Sequence, residues 1–327
     1  MEKLHHDEDW AVCQNAEGDL SVWQTTLGSV PPGWRVQRCF PSRQAVLAYL
    51  QAEGEKGQTK PRKPIAPLSH PPLPRSLLCP YPHPEARARV FCFPHAGAGA
   101  ASYHFLAKAL RGSPCEVVLV QYPGRETRLS EGFRLEMEAL TADLRTDIPR
   151  EMWTGPFFFF GHSMGALVAF ELTHALRASG LPLPSGLFLS GRAAPDLANR
   201  ELPVEDLSDD AFLKAVAERY QAIPQALLDN PELLGLVLGS LRADFTLMRR
   251  YQYRERPLLD LPLVTINGES DPWVTPDGVA AWQKQTRGPM QQFLLTGDHF
   301  YLNEQISKIV SIMQKTIRGI FPALTWP

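Results

Sequence analysis

The longest stretch without a polar face is Phe157-Phe158-Phe159-Phe160, four aromatic side chains in succession. A run of that kind predicts a central strand buried on both sides. It stops at Gly161-His162-Ser163-Met164-Gly165 and passes into the apolar stretch 166–172, which predicts a helix. Strand-like runs recur at 89–93, 116–120, 186–190, 261–267 and 291–297, with a helix across 135–148. From about residue 85 strand and helix therefore alternate, the signature of a mainly parallel sheet with helices on both faces. One long helical insertion, about 202–256, interrupts the alternation. Ser208, Asp209 and Asp210 suit a helix start there, and Pro224 and Pro231 divide it. Leu241, Phe245, Leu247 and Met248 make it apolar on more than one face, and its position suits a lid.

The beginning of the chain has a different rhythm. Residues 10–14 and 20–24 flank a turn-rich stretch, which predicts a hairpin, and Ser42 suits the cap of a helix over 43–50. Residues 54–84 are rich in proline and carry Lys56, Lys60, Arg62, Lys63 and Arg75, a composition that predicts an extended, semi-rigid linker. The expected organisation is a small α+β module over 1–53, a linker over 54–84, and a large α/β domain over 85–322.

Composition narrows the possibilities. A net charge of -2 over 327 residues gives no electrostatic case for nucleic acid. The apolar runs fall short of a membrane span, and the acidic start of the chain is unlike a secretory signal. Five scattered cysteines without metal-ligand spacing read as reduced thiols of a cytoplasmic protein, with no metal site.

The chemistry lies in Gly161-x-Ser163-x-Gly165. Between a buried strand and a helix this pattern predicts a nucleophile elbow, with the serine hydroxyl raised at a strained turn. A glycine-serine turn with no chemistry is the alternative, and the quality of the flanking strand argues against it. His299 is the only histidine after the elbow helix, and it follows the last strand. His174 lies within that helix as packing, and His95 comes too early in the chain and reads as structural. Asp271, just past the strand at 261–267, is the expected third member. Asp196 and Asp277 compete with it, and the sharp turn at Gly268-Glu269-Ser270-Asp271-Pro272 favours Asp271. The order Ser163, Asp271, His299 is that of the α/β-hydrolases, in which the backbone amides of Ala96 and Met164 would form the oxyanion hole. The triad implies acyl transfer with water as the default acceptor. Arg125 or Arg128 suits a phosphate, although surface salt bridging is the favoured role.

Four motifs in order, Phe93-Pro94-His95-Ala96-Gly97, Gln121-Tyr122-Pro123-Gly124-Arg125, Gly161-His162-Ser163-Met164-Gly165-Ala166 and Gly297-Asp298-His299-Phe300, resemble the type II thioesterases of nonribosomal peptide and polyketide synthesis. The resemblance runs from about 87 to 320. It implies hydrolysis of stalled acyl groups from the phosphopantetheine arm of acyl or peptidyl carrier proteins, with no cofactor belonging to the enzyme. Asp298 stands where that family commonly has a second glycine. Asn15-x-Glu17-Gly18, Ser21-x-Trp23 and Pro31-Pro32-Gly33-Trp34 resemble the MbtH-like proteins, which bind adenylation domains of peptide synthetases. Ser21, Trp23 and Trp34 fall on that family's binding cleft, implying an adenylation-domain partner for residues 10–50; packing in a tiny core is the other role open to the tryptophans. Gln24 and the stretch 51–57 depart from the family pattern. A free-standing esterase, or a chain acting mainly as an adenylation-domain partner, are the competing functions.

Overall fold

The computed structural model describes residues 10–15, 20–24, 34–42, 44–46, 48–49, 65–198, 207–220, 231–322 and 324. The chain divides into two compact units, Met1–Pro64 and Ile65–Pro327.

In the first unit, β1 (Trp10–Asn15), β2 (Leu20–Gln24) and β3 (Trp34–Phe40) form an antiparallel sheet in the order β2-β1-β3. Helical backbone follows at 44–46 and 48–49. Val12, Phe40 and Val46 form its small core, with Trp10 and Tyr49 packed against them. Ser21 pairs with Cys13, Trp23 with Ala11 and Trp34 with Asn15 along the backbone ladders, while the side chains of these three predicted cleft residues lie outside the described residues.

The second unit is built on a seven-stranded sheet. In chain order its elements are β4 (Leu77–Leu78), β5 (Ala88–Phe93), α1 (His104–Ala109), β6 (Cys115–Val120), α2 (Met137–Asp147), β7 (Phe157–His162), α3 (Met164–Ala178) and β8 (Leu187–Ser190). There follow α4 (Asp209–Tyr220), α5 (Pro231–Arg250), β9 (Leu263–Gly268), α6 (Pro276–Ala280), β10 (Met290–Leu295) and α7 (Ile306–Ile320). The order across the sheet is β10-β9-β8-β7-β5-β6-β4, parallel except for the edge strand β4.

The phenylalanine run explains why β7 is central. Side chains alternate across a strand, so Phe157 and Phe159 join the core on the α2 and α3 face, and Phe158 and Phe160 join that on the α1 and α7 face. All four are essentially inaccessible to water, and each such ring contributes on the order of 2–3 kcal/mol by leaving water. After β5 the chain steps outward to β6, then crosses back to β7 on the other side of β5. That reversal opens a crevice at the carboxyl ends of β5 and β7, the position where open α/β sheets bind ligands.

The proline-rich segment departs from expectation. The second unit begins at Ile65 instead of 85, because this stretch carries its own apolar anchors. Leu68 and Leu77 are buried, Leu77–Leu78 is a strand, and the fully buried Arg89 donates to the Ser69 carbonyl at 2.8 Å. Within the insertion, Pro231 opens α5, where its missing N–H costs nothing, and the helix ends at Arg250. Among the described residues, no helix is long and apolar enough to cross a membrane.

Candidate active site

The turn at Ser163 is as tight as the two glycines suggest. Ser163 has φ +53° and ψ -115°, a conformation that non-glycine residues rarely hold unless their surroundings impose it. A Cβ on Gly161 would lie 2.1 Å from the Gly165 carbonyl oxygen, so strand and helix touch backbone to backbone there. The Ser163 amide donates to the Ser190 carbonyl at 2.8 Å, which pins the turn to the neighbouring strand. Ser163 is the N-cap of the 15-residue α3, so its hydroxyl stands where the helix dipole favours negative charge.

The turns that follow β9 and β10 are bonded to each other. The Glu269 amide donates to the Leu295 carbonyl at 2.8 Å and that of Ser270 to the Gly297 carbonyl at 2.9 Å. Gly268 lets them close, since a Cβ there would meet the Asp298 carbonyl oxygen at 2.2 Å. This contact brings the carboxylate of Asp271 to the imidazole of His299, with Oδ2 2.7 Å from Nδ1. The other oxygen of Asp271 accepts the Trp273 amide at 3.0 Å. Both side chains are almost wholly shielded from water. The ring of His299 lies 5.0 Å, centroid to centroid, from that of His162, the residue preceding Ser163. The structure thus pairs Asp271 with His299 beyond the ends of the neighbouring strands β9 and β10, and sets the His162 ring, next to Ser163 at the end of β7, against that of His299. Asp277 sits exposed in the first turn of α6, and the histidine's carboxylate partner is Asp271, not Asp196. Asp298 is exposed and accepts the Phe300 amide at 2.8 Å.

Two further histidines lie near His299. Tyr301 donates its hydroxyl proton to the Ile266 carbonyl at 2.8 Å, so the Ser190 hydroxyl, 2.6 Å away, must donate to Tyr301. His162 Nδ1, 2.8 Å from Ser190 Oγ, is then the donor in that contact, which fixes its tautomer. Burial, then the neighbouring His299 and His95 rings, hold the His162 pKa well below its ordinary value. His95, with Nδ1 2.9 Å from the Tyr103 hydroxyl, is pushed down to about 3 by burial and by His299. Both are neutral near pH 7.

The loop after β5 brings Ala96 to the same crevice. A Cβ on Gly165 would lie 1.9 Å from the Phe93 carbonyl oxygen, so the first turn of α3, with Met164 at its start, crosses the end of β5 directly. His95 to Ala98 form a turn closed by a 3.1 Å bond from the Ala98 amide to the His95 carbonyl, with Gly97 at φ +76°.

Arg125 and Arg128 are buried, contrary to the surface role favoured from sequence. Arg125 grips Asp244 with Nη1 and Nη2 at 2.5 and 2.7 Å, and Arg128 grips Glu131 with Nε and Nη2 at 2.9 and 2.6 Å. The Asp244 partner was missed because it lies 119 residues away in α5. The available signal was a lone carboxylate on an apolar helix face, between Leu241 and Met248.

A family model described as the thioesterase domain matches residues 88–317. Thioesterase PikA5 of Streptomyces venezuelae is 38% identical over 229 residues, covering 70% of this chain and 80% of that protein. The linear gramicidin dehydrogenase LgrE of Brevibacillus parabrevis is 36% identical over 250 residues, covering 75% and 93%. Its name is that of an oxidoreductase, whereas the model matched over 88–317 is that of a thioesterase. Among solved structures, the type II thioesterase BorB from the borrelidin biosynthetic cluster superposes with a TM-score of 0.64 at 32% identity, over 76% of this chain and 98% of that one.

Proposed function

From the premise that the chain belongs to the thioesterase-domain family, a family of thioester hydrolases, we propose that it is a type II editing thioesterase of nonribosomal peptide or polyketide synthesis, acting in the cytoplasm on acyl groups carried by the phosphopantetheine arm of carrier proteins. The single observation that carries the mechanism is the 2.7 Å contact of His299 with Asp271 beside the strained Ser163 turn. In this reading His299 takes the Ser163 proton as the hydroxyl attacks the thioester carbon. The oxyanion that forms is met by the amides of Ala96 and Met164, and His299 passes its proton to the departing thiol. Water then repeats the sequence on the acyl-enzyme and releases the acid. Asp271 holds the imidazole in the right tautomer and stabilises its cation. No cofactor is needed, the pantetheine being part of the substrate. Helices α4 and α5 are the proposed lid.

The test is release of a radiolabelled acyl group from a loaded carrier protein. Ser163→Ala should abolish it, and unchanged turnover would overturn the reading. Comparing the same acyl group on a carrier protein and on a simple thiol separates editing from general esterase activity: equal kcat/KM on both would favour the latter.

The reading extends to the first unit as an MbtH-like module that engages an adenylation domain through Ser21, Trp23 and Trp34. The support is the residue pattern between 15 and 34. Adding the full chain to an adenylation domain should raise its soluble yield or its aminoacyl-adenylate formation, and Trp23→Ala should cancel the gain. No gain with the intact chain would reduce this unit to a small structural appendage.

A further inference from the structure

The turn at residues 95–98 is clamped from two sides, and the clamp reaches into α5. Asp244 Oδ2 accepts the Gly97 amide at 2.7 Å and also Arg125 Nη1, while Arg125 Nη2 donates to Oδ1 of the same carboxylate. Arg125 Nη1 also donates to the Ala98 carbonyl at 3.3 Å, at the end of the turn. One helical turn before Asp244, Leu241 lies on Gly97 so closely that a Cβ there would meet its Cδ1 at 2.6 Å. On the far side of the loop, Gln121 Oε1 accepts the Ala100 amide at 2.9 Å, and the Glu126 carboxylate accepts that of Ala101 at 3.2 Å. Glu126 has φ +45°, a strained value for a side chain of its size.

These bonds engage the amides of Gly97, Ala98, Ala100 and Ala101 and leave that of Ala96 out of the clamp. An oxyanion donor works by being fixed before charge develops, so its strength depends on what immobilises the peptide plane beside it. Here the adjoining plane, that of the Gly97 amide, is fixed by a buried carboxylate. The carboxylate comes from α5, whose Leu241 lies on Gly97, and a buried two-pronged guanidinium holds it in orientation.

We infer that Asp244, oriented by Arg125, is a positioning residue that fixes the Ala96 amide for the oxyanion and ties its placement to the seating of α5. The inference rests on the reading of Ser163 and the Ala96 amide as catalytic machinery. Asp244 touches no reacting atom. Its effect belongs to the transition state and not to substrate binding. An α5 that lifts away carries Asp244 from Gly97 and weakens the hole, so acylation is strong only with the helix in place.

The experiment compares the intact chain with Asp244→Asn, which keeps the shape but turns one oxygen into a donor facing the guanidinium. Active sites are counted by fluorophosphonate labelling. The kcat and KM are measured on a short acyl N-acetylcysteamine thioester. The Ki is measured for an alkylboronic acid, which bonds to Ser163 Oγ, sends the hydroxyl proton to His299 and carries a tetrahedral anion into the hole. The expected result is a fall in kcat per active site of about tenfold or more, with a parallel rise in the boronate Ki and an unchanged KM. A mere folding defect changes the number of active sites but neither constant per site. Unchanged kcat and Ki, or a loss confined to KM, overturns the inference. If Asp244→Asn does not fold, Arg125→Lys is read by the same ratios, since it keeps the charge and loses the fork. Ser163→Ala separates the two layers: full turnover in that variant would refute the catalytic assignment itself, whereas an inactive Ser163→Ala beside an unaffected Asp244→Asn would refute only the positioning role.

Discussion

The carbonyl oxygen of Phe93 occupies the space in which a side chain on Gly165 would begin, 1.9 Å from the Cβ position. Phe93 ends β5 and Gly165 stands in the first turn of α3, so this one contact sets how closely the serine turn approaches the loop carrying Ala96. Gly165→Ala should therefore remove activity and cost about 3 kcal/mol or more, because backbone on both sides must shift. Gly235→Ala is the counterpart. That glycine is exposed within α5 and a Cβ meets nothing within 4 Å, so the change should stabilise by about 0.5–1 kcal/mol. Denaturant unfolding of the two variants checks the contrast.

Arg89 and Glu116 form a buried pair, Nε to Oε1 at 3.0 Å, with His70 against the second oxygen at 2.9 Å. Breaking one side strands the other charge. Arg89→Met should cost about 3–5 kcal/mol, and combining it with Glu116→Leu should cost less than the sum of the two single changes. Because Arg89 also holds the Ser69 carbonyl, early proteolysis of the single variant should fall within residues 65–78.

His174 lies in α3 against the Phe170 ring, and its Nδ1 accepts from Arg177 at 2.8 Å. Burial, then Arg256 and Arg177, push its pKa down to about 3. The folded chain keeps this imidazole neutral, while the unfolded chain protonates it near pH 6.5. Its contribution is therefore whole above that pH and is lost progressively as pH falls toward 3. His174→Asn should flatten the dependence of unfolding free energy between pH 6.5 and 5 by up to about 1.4 kcal/mol per pH unit. An unchanged slope would contradict the buried neutral state.

The alternation of strand and helix and the serine turn were readable because their determinants are local. Four phenylalanines, two glycines and a helix-forming stretch lie within 16 residues of one another in the chain, 157–172, and each dictates its own backbone. The Asp271–His299 pairing could be anticipated from the strand ends on which the two residues sit. What stayed hidden depends on distant partners. Arg125 looks like any surface cation until Asp244 is placed opposite it. The prolines of 65–84 read as linker because nothing local says that Leu68 and Leu77 find a core.

The choice of catalytic acid gives the sharpest test of the site. Asp196 follows β8 and has a buried Oδ1 with no hydrogen-bond partner among the described residues, so burial alone does not mark the acid. What distinguishes Asp271 is its bond to the ring nitrogen of His299, with the second oxygen satisfied by the Trp273 amide. A carboxylate in that position sets the imidazole tautomer, and its amide replacement presents an N–H to the same nitrogen and stabilises the wrong one. Asp271→Asn should accordingly lower kcat by about 10⁴-fold with KM little changed, the scale known for triads whose carboxylate is neutralised. Asp196→Asn alters a carboxylate other than the one bonded to His299 Nδ1, so its kcat should stay within a few-fold of the parent. Steady-state rates on one acyl thioester decide between them, and a reversed pattern would move the acid to the end of β8.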